Sequence, residues 1–193
     1  MSRTSRQRQS ETGPRALVRG LLAGACLGAV LPGAAAAQTC RPVVVDAPEF
    51  CPAGTVWEGV ALIPKLDGNR IRSLTGQYDR LWLVFAEIPY AEDLPRHPDQ
   101  GDVAALLAGF GDLLVTYDDA EILETFAPLG TDVAAATMAL HNPDTGYVTM
   151  YTYYAEGAAR LVVQTSLQGA ETLTDQHRDR HLQAVRALRE TAE

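Results

Sequence analysis

The sequence predicts an α+β fold, in which two main helices flank an antiparallel sheet that ends in a C-terminal meander. Residues 133–167 hold three runs in which Val, Thr and Tyr alternate with period two, separated by turn signals at residues 142–146 and 156–157. Turns this short can join only antiparallel neighbours. Helical patterns at residues 103–114 and 175–190 would cover the sheet, giving an arrangement like an α/β/α sandwich.

The first 37 residues have the pattern of a secretory signal peptide. Arginines precede an apolar run at residues 21–31, and small residues at Ala35 and Ala37 satisfy the cleavage rule. We therefore expect cleavage near Ala37/Gln38 and a mature protein that is periplasmic or secreted.

Two alternatives to a cleaved leader remain. A lipoprotein would use Cys26, but Leu22 lies one residue too far upstream for a lipobox. An uncleaved anchor would use residues 20–37, which are mostly Ala and Gly with one Pro and would span a bilayer poorly. The sequence thus predicts no stable membrane span after processing.

The mature chain is predicted to be acidic. Cleavage after Ala37 would leave 156 of the 193 residues, with 11 Lys+Arg against 23 Asp+Glu, and therefore a net charge of −12. A chain of this length can bury one core. Its charge would repel nucleic acid and anionic lipid, which disfavours both as partners.

Cys40 and Cys51 would be the two cysteines of the mature chain. A close, even pair in an oxidising compartment indicates a disulfide, and the spacing matches neither a C-x-x-C redox motif nor a zinc knuckle. We expect the bridge to staple an N-terminal loop at residues 38–54, ahead of a single α+β domain at residues 55–193.

The domain begins with a predicted hairpin. Residues 55–63 form a candidate strand that Pro64 would end, residues 66–69 supply a turn, and residues 70–74 return. Residues 80–88 are apolar on both alternating sets, which is typical of a strand covered on both faces.

The clearest helix follows this strand. Asp99 or Asp102 would cap it, and apolar residues recur at helical spacing through residues 103–114. Gly109 and Gly111 each cost a helix about 1 kcal/mol relative to Ala. We therefore expect close packing against the sheet, rather than propensity, to hold this helix.

A strand at residues 122–126 leads into the meander, and the spacing of Thr172 and Asp175 is that of a capping box before the second helix. This element order, over residues 55–190, resembles the PsbP/DcrB/Mog1-like superfamily. The resemblance implies an α/β/α sandwich and an accessory or binding role rather than catalysis. It rests on element order and transfers no site residue.

His177 and His181 have the one metal-like spacing in the chain. On a helix the two imidazoles would lie on one face, and a carboxylate or His141 could complete a Cu, Zn or Ni site. A metalloprotease would need Glu directly after the first His, where Arg178 stands. The competing interpretation is structural, with a partly buried, hydrogen-bonded histidine beside a solvent-facing one.

Tyr147, Tyr151 and Tyr153 share one face of the middle meander strand. Such an aromatic platform could bind sugars, cationic ligands or a peptide. The simpler interpretation is that the rings pack under a helix. The carboxylates between Asp118 and Glu124 are predicted to lie on a solvated loop and strand edge.

Motifs for other chemistries are missing from the sequence. Neither Ser73 nor Ser166 lies in G-x-S-x-G, and Lys65 is not part of a P-loop. The leading hypothesis is an exported, non-enzymatic accessory or binding protein that acts through a partner protein or small ligand and needs no cofactor. The alternative is a periplasmic protein that binds a divalent transition metal at the helical histidine pair, and a cofactor-free hydrolase is third.

Overall fold

The computed structural model describes residues 40–43, 48–68, 70–128 and 133–189. The predicted signal peptide and its cleavage site lie outside the described residues, so both stay predictions. None of the described helices is long and apolar enough to cross a membrane.

Ten strands and two α-helices make up the described chain. The strands are β1 (Arg41–Pro42), β2 (Glu49–Phe50), β3 (Ile63–Asp67), β4 (Arg70–Tyr78), β5 (Leu81–Glu87), β6 (Glu121–Phe126), β7 (Ala134–Asn142), β8 (Tyr147–Glu156), β9 (Ala159–Gln168) and β10 (Leu188–Arg189). The helices are α1 (Gln100–Asp118) and α2 (Asp175–Arg186). Seven strands form one antiparallel sheet in the order β3-β4-β5-β9-β8-β7-β6. The predicted α+β class and C-terminal meander are therefore confirmed.

The large sheet has a hydrophobic cluster on each face. Tyr153 and Tyr154 follow one another on β8 and so point to opposite faces. Tyr153 belongs to the cluster that contains Leu107 of α1, and Tyr154 belongs to the cluster that contains Val185 of α2. The two helices therefore cover opposite faces of the sheet.

Helix α1 begins with a reciprocal capping box. The Asp99 carboxylate accepts from the Asp102 backbone N–H at 2.9 Å, and the Asp102 carboxylate accepts from the Asp99 N–H at 3.0 Å. A Cβ on Gly111 would lie 2.6 Å from Met138 Sδ of β7, whereas one on Gly109 would meet nothing within 4 Å. The expectation that α1 packs closely against the sheet at its glycines is therefore confirmed for Gly111 and wrong for Gly109.

Helix α2 ends earlier than its sequence pattern predicts, and a different threonine caps it. Thr174, rather than Thr172, is the N-cap, and its hydroxyl accepts from the His177 N–H at 3.1 Å. After the helix ends, β10 pairs with β2, which also pairs with β1. The first and last strands of the described chain therefore belong to the same small sheet, in which β2 lies between β1 and β10.

The first hairpin lies further along the chain than predicted. Residues 55–59 form turns, and β3 contains Pro64 instead of ending before it. Proline fits there because β3 is an edge strand of the large sheet. Trp57, predicted to lie in a strand, is instead buried in the turns, where its Nε1–H donates to the Arg180 carbonyl oxygen at 2.9 Å.

The predicted disulfide is present between Cys40 and Cys51. The Cys51 N–H donates to the Ala187 carbonyl oxygen at 2.8 Å, just after α2 ends. Phe50 is buried with its ring centroid 4.8 Å from that of Phe85 in β5. The stapled segment thus contributes to the core on the α2 face.

Strand β5 is fully covered on one face and only partly covered on the other. Leu81, Leu83 and Phe85 point towards α2 and are buried, whereas Trp82 on the opposite face is 39% exposed. The prediction that this strand is covered on both faces is therefore wrong at Trp82 and holds at the other end of the run, where Ala86 and Ile88 pack in the cluster that contains Leu107 of α1.

Candidate functional site

An open cleft lies on the sheet face that carries α1. Helix α1 packs mainly on β7, at one side of the sheet. Between the C-terminal end of the helix and strands β5, β9 and β8 the sheet is left open, and a cavity of about 390 Å³ occupies this space. This is a size at which a small ligand can be held.

The cleft is lined by three kinds of side chain, most of them from the sheet. The aromatic ones are Trp82, Tyr147 and Tyr151, the polar ones are Asp118, Asn142, Thr145, Thr149, Gln164 and Ser166, and the aliphatic ones are Val84, Leu114, Ala120 and Leu140. Aspartate 118 is the one charged side chain among these lining residues.

Strand register brings the floor of the cleft together. Trp82 of β5 is paired with Ser166 of β9, which is in turn paired with Thr149 of β8. Directly paired residues in antiparallel strands point to the same face. The next row repeats the arrangement with Gln164 of β9 paired with Tyr151 of β8, so two adjacent rows present aromatic and polar groups to one space.

Hydrogen bonds fix the polar groups of the floor. Thr149 Oγ1–H donates to Ser166 Oγ at 3.0 Å, and Gln164 Nε2–H donates to the same oxygen at 3.0 Å. These bonds engage both lone pairs of the Ser166 oxygen. None of the hydrogen bonds found among the described residues uses the Ser166 proton, which leaves that O–H to donate to an occupant of the cleft.

The C-terminal end of α1 forms one wall. Asn142 Nδ2–H donates to the Asp118 carbonyl oxygen at 3.2 Å, and Asn142 Oδ1 accepts from the Thr145 N–H at 2.9 Å. The helix ends at Asp119, which has the left-handed φ of 50°. Burial, together with the negative charge of Asp118, raises the pKa of Tyr151 to about 12.

Two of the three tyrosines predicted as a platform line the cleft. Tyr147 and Tyr151 do so, and Tyr151 also packs edge-on against Phe110 of α1 at 5.3 Å between ring centroids. Tyr153 is buried beneath the same Phe110, and burial raises the pKa of its hydroxyl. That hydroxyl has no hydrogen-bond partner among the described residues. Tyr153 is therefore a core residue.

Trp82 and Ser166 were not predicted as site residues. The run at residues 80–88 is almost continuously apolar, so its pattern cannot show which face a helix leaves open. A usable signal was the position of Trp82, which alternates with Leu81 and Leu83 and so must face away from them.

The two histidines lie on the opposite face of the sheet and are both buried, with 2% of His177 and none of His181 exposed. Thr165 Oγ1 lies 2.9 Å from His177 Nε2 and 2.9 Å from His181 Nδ1. His181 Nε2 lies 2.7 Å from Thr152 Oγ1, which bonds Thr137 Oγ1 at 2.6 Å. The interpretation of one histidine as solvent-facing is wrong, because both rings are buried. Thr165 of β9 contacts both of them, and Thr152 of β8 contacts His181.

A third metal ligand is missing beside this pair in the described part of the chain. The one group there of three potential ligands is Cys40, Glu49 and Cys51, whose two sulfurs form the disulfide. His141 lines a separate pocket at the turn after β7. Metal binding by His177 and His181 therefore stays a prediction, and a bound metal would have to displace the threonine contacts.

Comparison with known protein families and with curated proteins gives no match to this chain.

Proposed function

We propose that this protein is an exported, non-enzymatic binding protein that holds a small ligand in the cleft between α1 and strands β5, β9 and β8. The observation that carries the proposal is the open floor of the cleft, where aromatic and polar side chains point into an uncovered space. Concave sites of this kind, with a few convergent polar groups among apolar ones, are the usual places for small molecules.

The position of Trp82 supports a ligand over simple packing. Its strand, β5, lies inside the seven-stranded sheet, with β4 on one side and β9 on the other. A large aromatic side chain at such a position normally contributes to a core, yet Trp82 is 39% exposed. An occupant of the cleft would complete its burial.

The chemistry of the lining supports binding rather than catalysis. The floor presents the hydroxyls of Thr149 and Ser166, which bond each other, and Ser166 also accepts from Gln164. Neither partner is a base that could activate a nucleophile. The buried histidines lie on the other face of the sheet, so they cannot act on a molecule in the cleft.

Export is supported by the disulfide between Cys40 and Cys51, since such bonds persist in oxidising compartments. The signal-peptide pattern of the first 37 residues points the same way. Protein recovered from the periplasm or medium would then have the intact mass of a chain that begins at Gln38.

Tryptophan fluorescence tests the proposed site directly. The chain has two tryptophans, of which Trp57 is fully buried and Trp82 lies in the cleft. We expect a titration with neutral sugars and aliphatic amines to give a saturable change in emission for one of these classes. Trp82→Ala should weaken binding measured by calorimetry, whereas Tyr117→Ala, which removes an aromatic ring exposed elsewhere on α1, should not.

A ligand that raises the melting temperature by mass action, but binds Trp82→Ala as tightly as the unchanged protein, would place the site outside the cleft. A flat emission response to every compound, with an unchanged melting temperature, would also contradict the proposal.

A further inference from the structure

One end of the cleft carries negative charge without a nearby counterion in its lining. Asp118 is in the last turn of α1, Asp119 caps the helix, and this last turn contains no basic residue. A helix C-terminus is itself partially negative and favours cations. Two acidic residues at that end add to the negative potential instead of offsetting it.

The aromatic lining favours the same kind of ligand. The rings of Trp82, Tyr147 and Tyr151 all border the cavity. The faces of aromatic rings are electron-rich and attract ammonium groups, most strongly when water is excluded. The rings and the end of α1 therefore act in the same direction on a charged molecule.

Anionic ligands do not fit this lining. None of the residues found to line the cleft is Lys, Arg or His. Binding a phosphate or carboxylate would bring it towards Asp118 with no positive group to pair it, and an unpaired charge is costly to remove from water.

We infer that the ligand of the cleft is a small organic cation, with an ammonium group held between the aromatic rings and the acidic end of α1. This inference rests on the proposed function and specifies the class of ligand for the same site.

The floor of the cleft suggests what the rest of such a cation carries. Ser166 is 8% exposed, and its oxygen already accepts two hydrogen bonds, from Thr149 and Gln164. The Ser166 O–H is thus free to donate to a hydroxyl, ether or carbonyl oxygen of the ligand. A cation with one such oxygen could accept from the Ser166 O–H and also place its ammonium group near Asp118.

Calorimetry with matched probes tests the charge. Choline has both an ammonium group and a hydroxyl, and 3,3-dimethylbutan-1-ol has the same shape without the charge. We expect the exported protein to bind choline roughly tenfold more tightly than the alcohol, the size of effect that a cation–aromatic contact and one carboxylate can supply. High salt should reduce the difference.

Asp118→Asn should remove most of this preference, measured as the ratio of the affinities for choline and the neutral alcohol within the same variant. Asp112→Asn is the matched control, because Asp112 is an exposed acid on the same helix and does not line the cleft. The control should bind choline like the unchanged protein.

Equal affinity for choline and the alcohol, or equal affinity of Asp118→Asn and the unchanged protein for choline, would overturn the inference. So would a failure of choline and butylammonium to bind at millimolar concentration. If a neutral sugar nevertheless changes Trp82 emission, the proposed function stands and only the ligand class is wrong. If no compound does so, the proposed function fails with it.

Discussion

At the scale of single residues, two histidines with the spacing of a metal site are buried and bind threonines of the sheet. His177 and His181 both contact the Thr165 hydroxyl, which has one proton and can donate it to only one of the two rings. At least one ring therefore donates its own N–H to the Thr165 oxygen. Burial lowers the pKa of His177 to about 4 and that of His181 to about 3.

The stability of the fold should therefore fall in acid. Between pH 6.5, the usual histidine pKa, and the lowered folded values, the unfolded chain binds more protons than the folded one, so stability is lost as pH falls through this window. Each ring should contribute a loss of roughly 2 to 3 kcal/mol between pH 7 and pH 4.5. Urea unfolding at the two pH values measures it.

Matched glutamine variants separate the histidines from the many carboxylates. His177→Gln can still bond Thr165 but cannot be protonated, so its unfolding free energy should depend less on pH than that of the unchanged protein. His97→Gln is the control, since His97 is exposed. If the unfolding free energies of all three proteins depended identically on pH, protonation of His177 would not be a cause of the loss of stability in acid.

The same residues show what the sequence could and could not predict at this scale. The helical spacing correctly places both imidazoles on one side of α2. It cannot show that Thr165 and Thr152 lie opposite them, because those residues belong to strands whose pairing is a property of the sheet. The prediction of a solvent-facing histidine failed for this reason.

At the scale of elements, α1 covers part of one sheet face and leaves the rest of that face exposed as the cleft. Val103 and Leu107 are buried over β7 and β8, and Gly111 lets the helix lie against Met138. Beyond this point the helix borders the cleft with Leu114 and Asp118. The same helix thus seals half of one sheet face and forms a wall of the site on the other half.

The two glycines of α1 give a matched test of this packing. Gly109→Ala adds a methyl group to open space and should stabilise the protein by up to about 1 kcal/mol through helix propensity. Gly111→Ala gains the same propensity but crowds Met138, and overpacking typically costs about 1 to 3 kcal/mol. Thermal unfolding of both variants should rank Gly111→Ala below Gly109→Ala, and the reverse order would contradict the packing described.

Elements with strong local patterns were predictable. The three meander strands and α1 follow from period-two and helical spacing together with their turns and caps. The first hairpin was misplaced because Pro64 was taken to end a strand, whereas an edge strand tolerates proline. The exposure of Trp82 in β5 was missed because an apolar run looks the same whether or not a helix covers all of it.

At the scale of the whole molecule, the first and last described segments meet on the face opposite the cleft. The disulfide joins the start of β1 to the segment after β2, and β10 pairs with β2. Phe50 connects this small sheet to β5 through its contact with Phe85. None of the described residues of β1, β2 or β10 lines the cleft.

Reduction of the disulfide should therefore lower stability and leave the cleft intact. Cys40 and Cys51 are 11 residues apart, and a loop of this length is worth roughly 3 kcal/mol at most. For a domain of this size that corresponds to a fall in melting temperature of at most about 12 °C. Calorimetric scans with and without reductant measure the fall, and loss of ligand binding in a folded, reduced protein would contradict the separation of the two regions.

The site could be predicted from the sequence only in part. Tyr147 and Tyr151 share a strand, so simple alternation places them together. Trp82, Asp118 and Ser166 come from three distant segments, and they meet because β9 inserts between β5 and β8 in the sheet. No local pattern contains that pairing.

A nitrogen-15 NMR titration of the exported protein with choline tests most directly whether the cleft binds a ligand. The two tryptophan side chains give two indole N–H signals, and only Trp82 lies in the cleft. We predict saturable shifts in the Trp82 indole and in the backbone amides of Thr149, Gln164 and Ser166, with the Trp57 indole unchanged. Shifts confined to the edge strand β3 or to the outer surface of α1, with a silent Trp82, would contradict it.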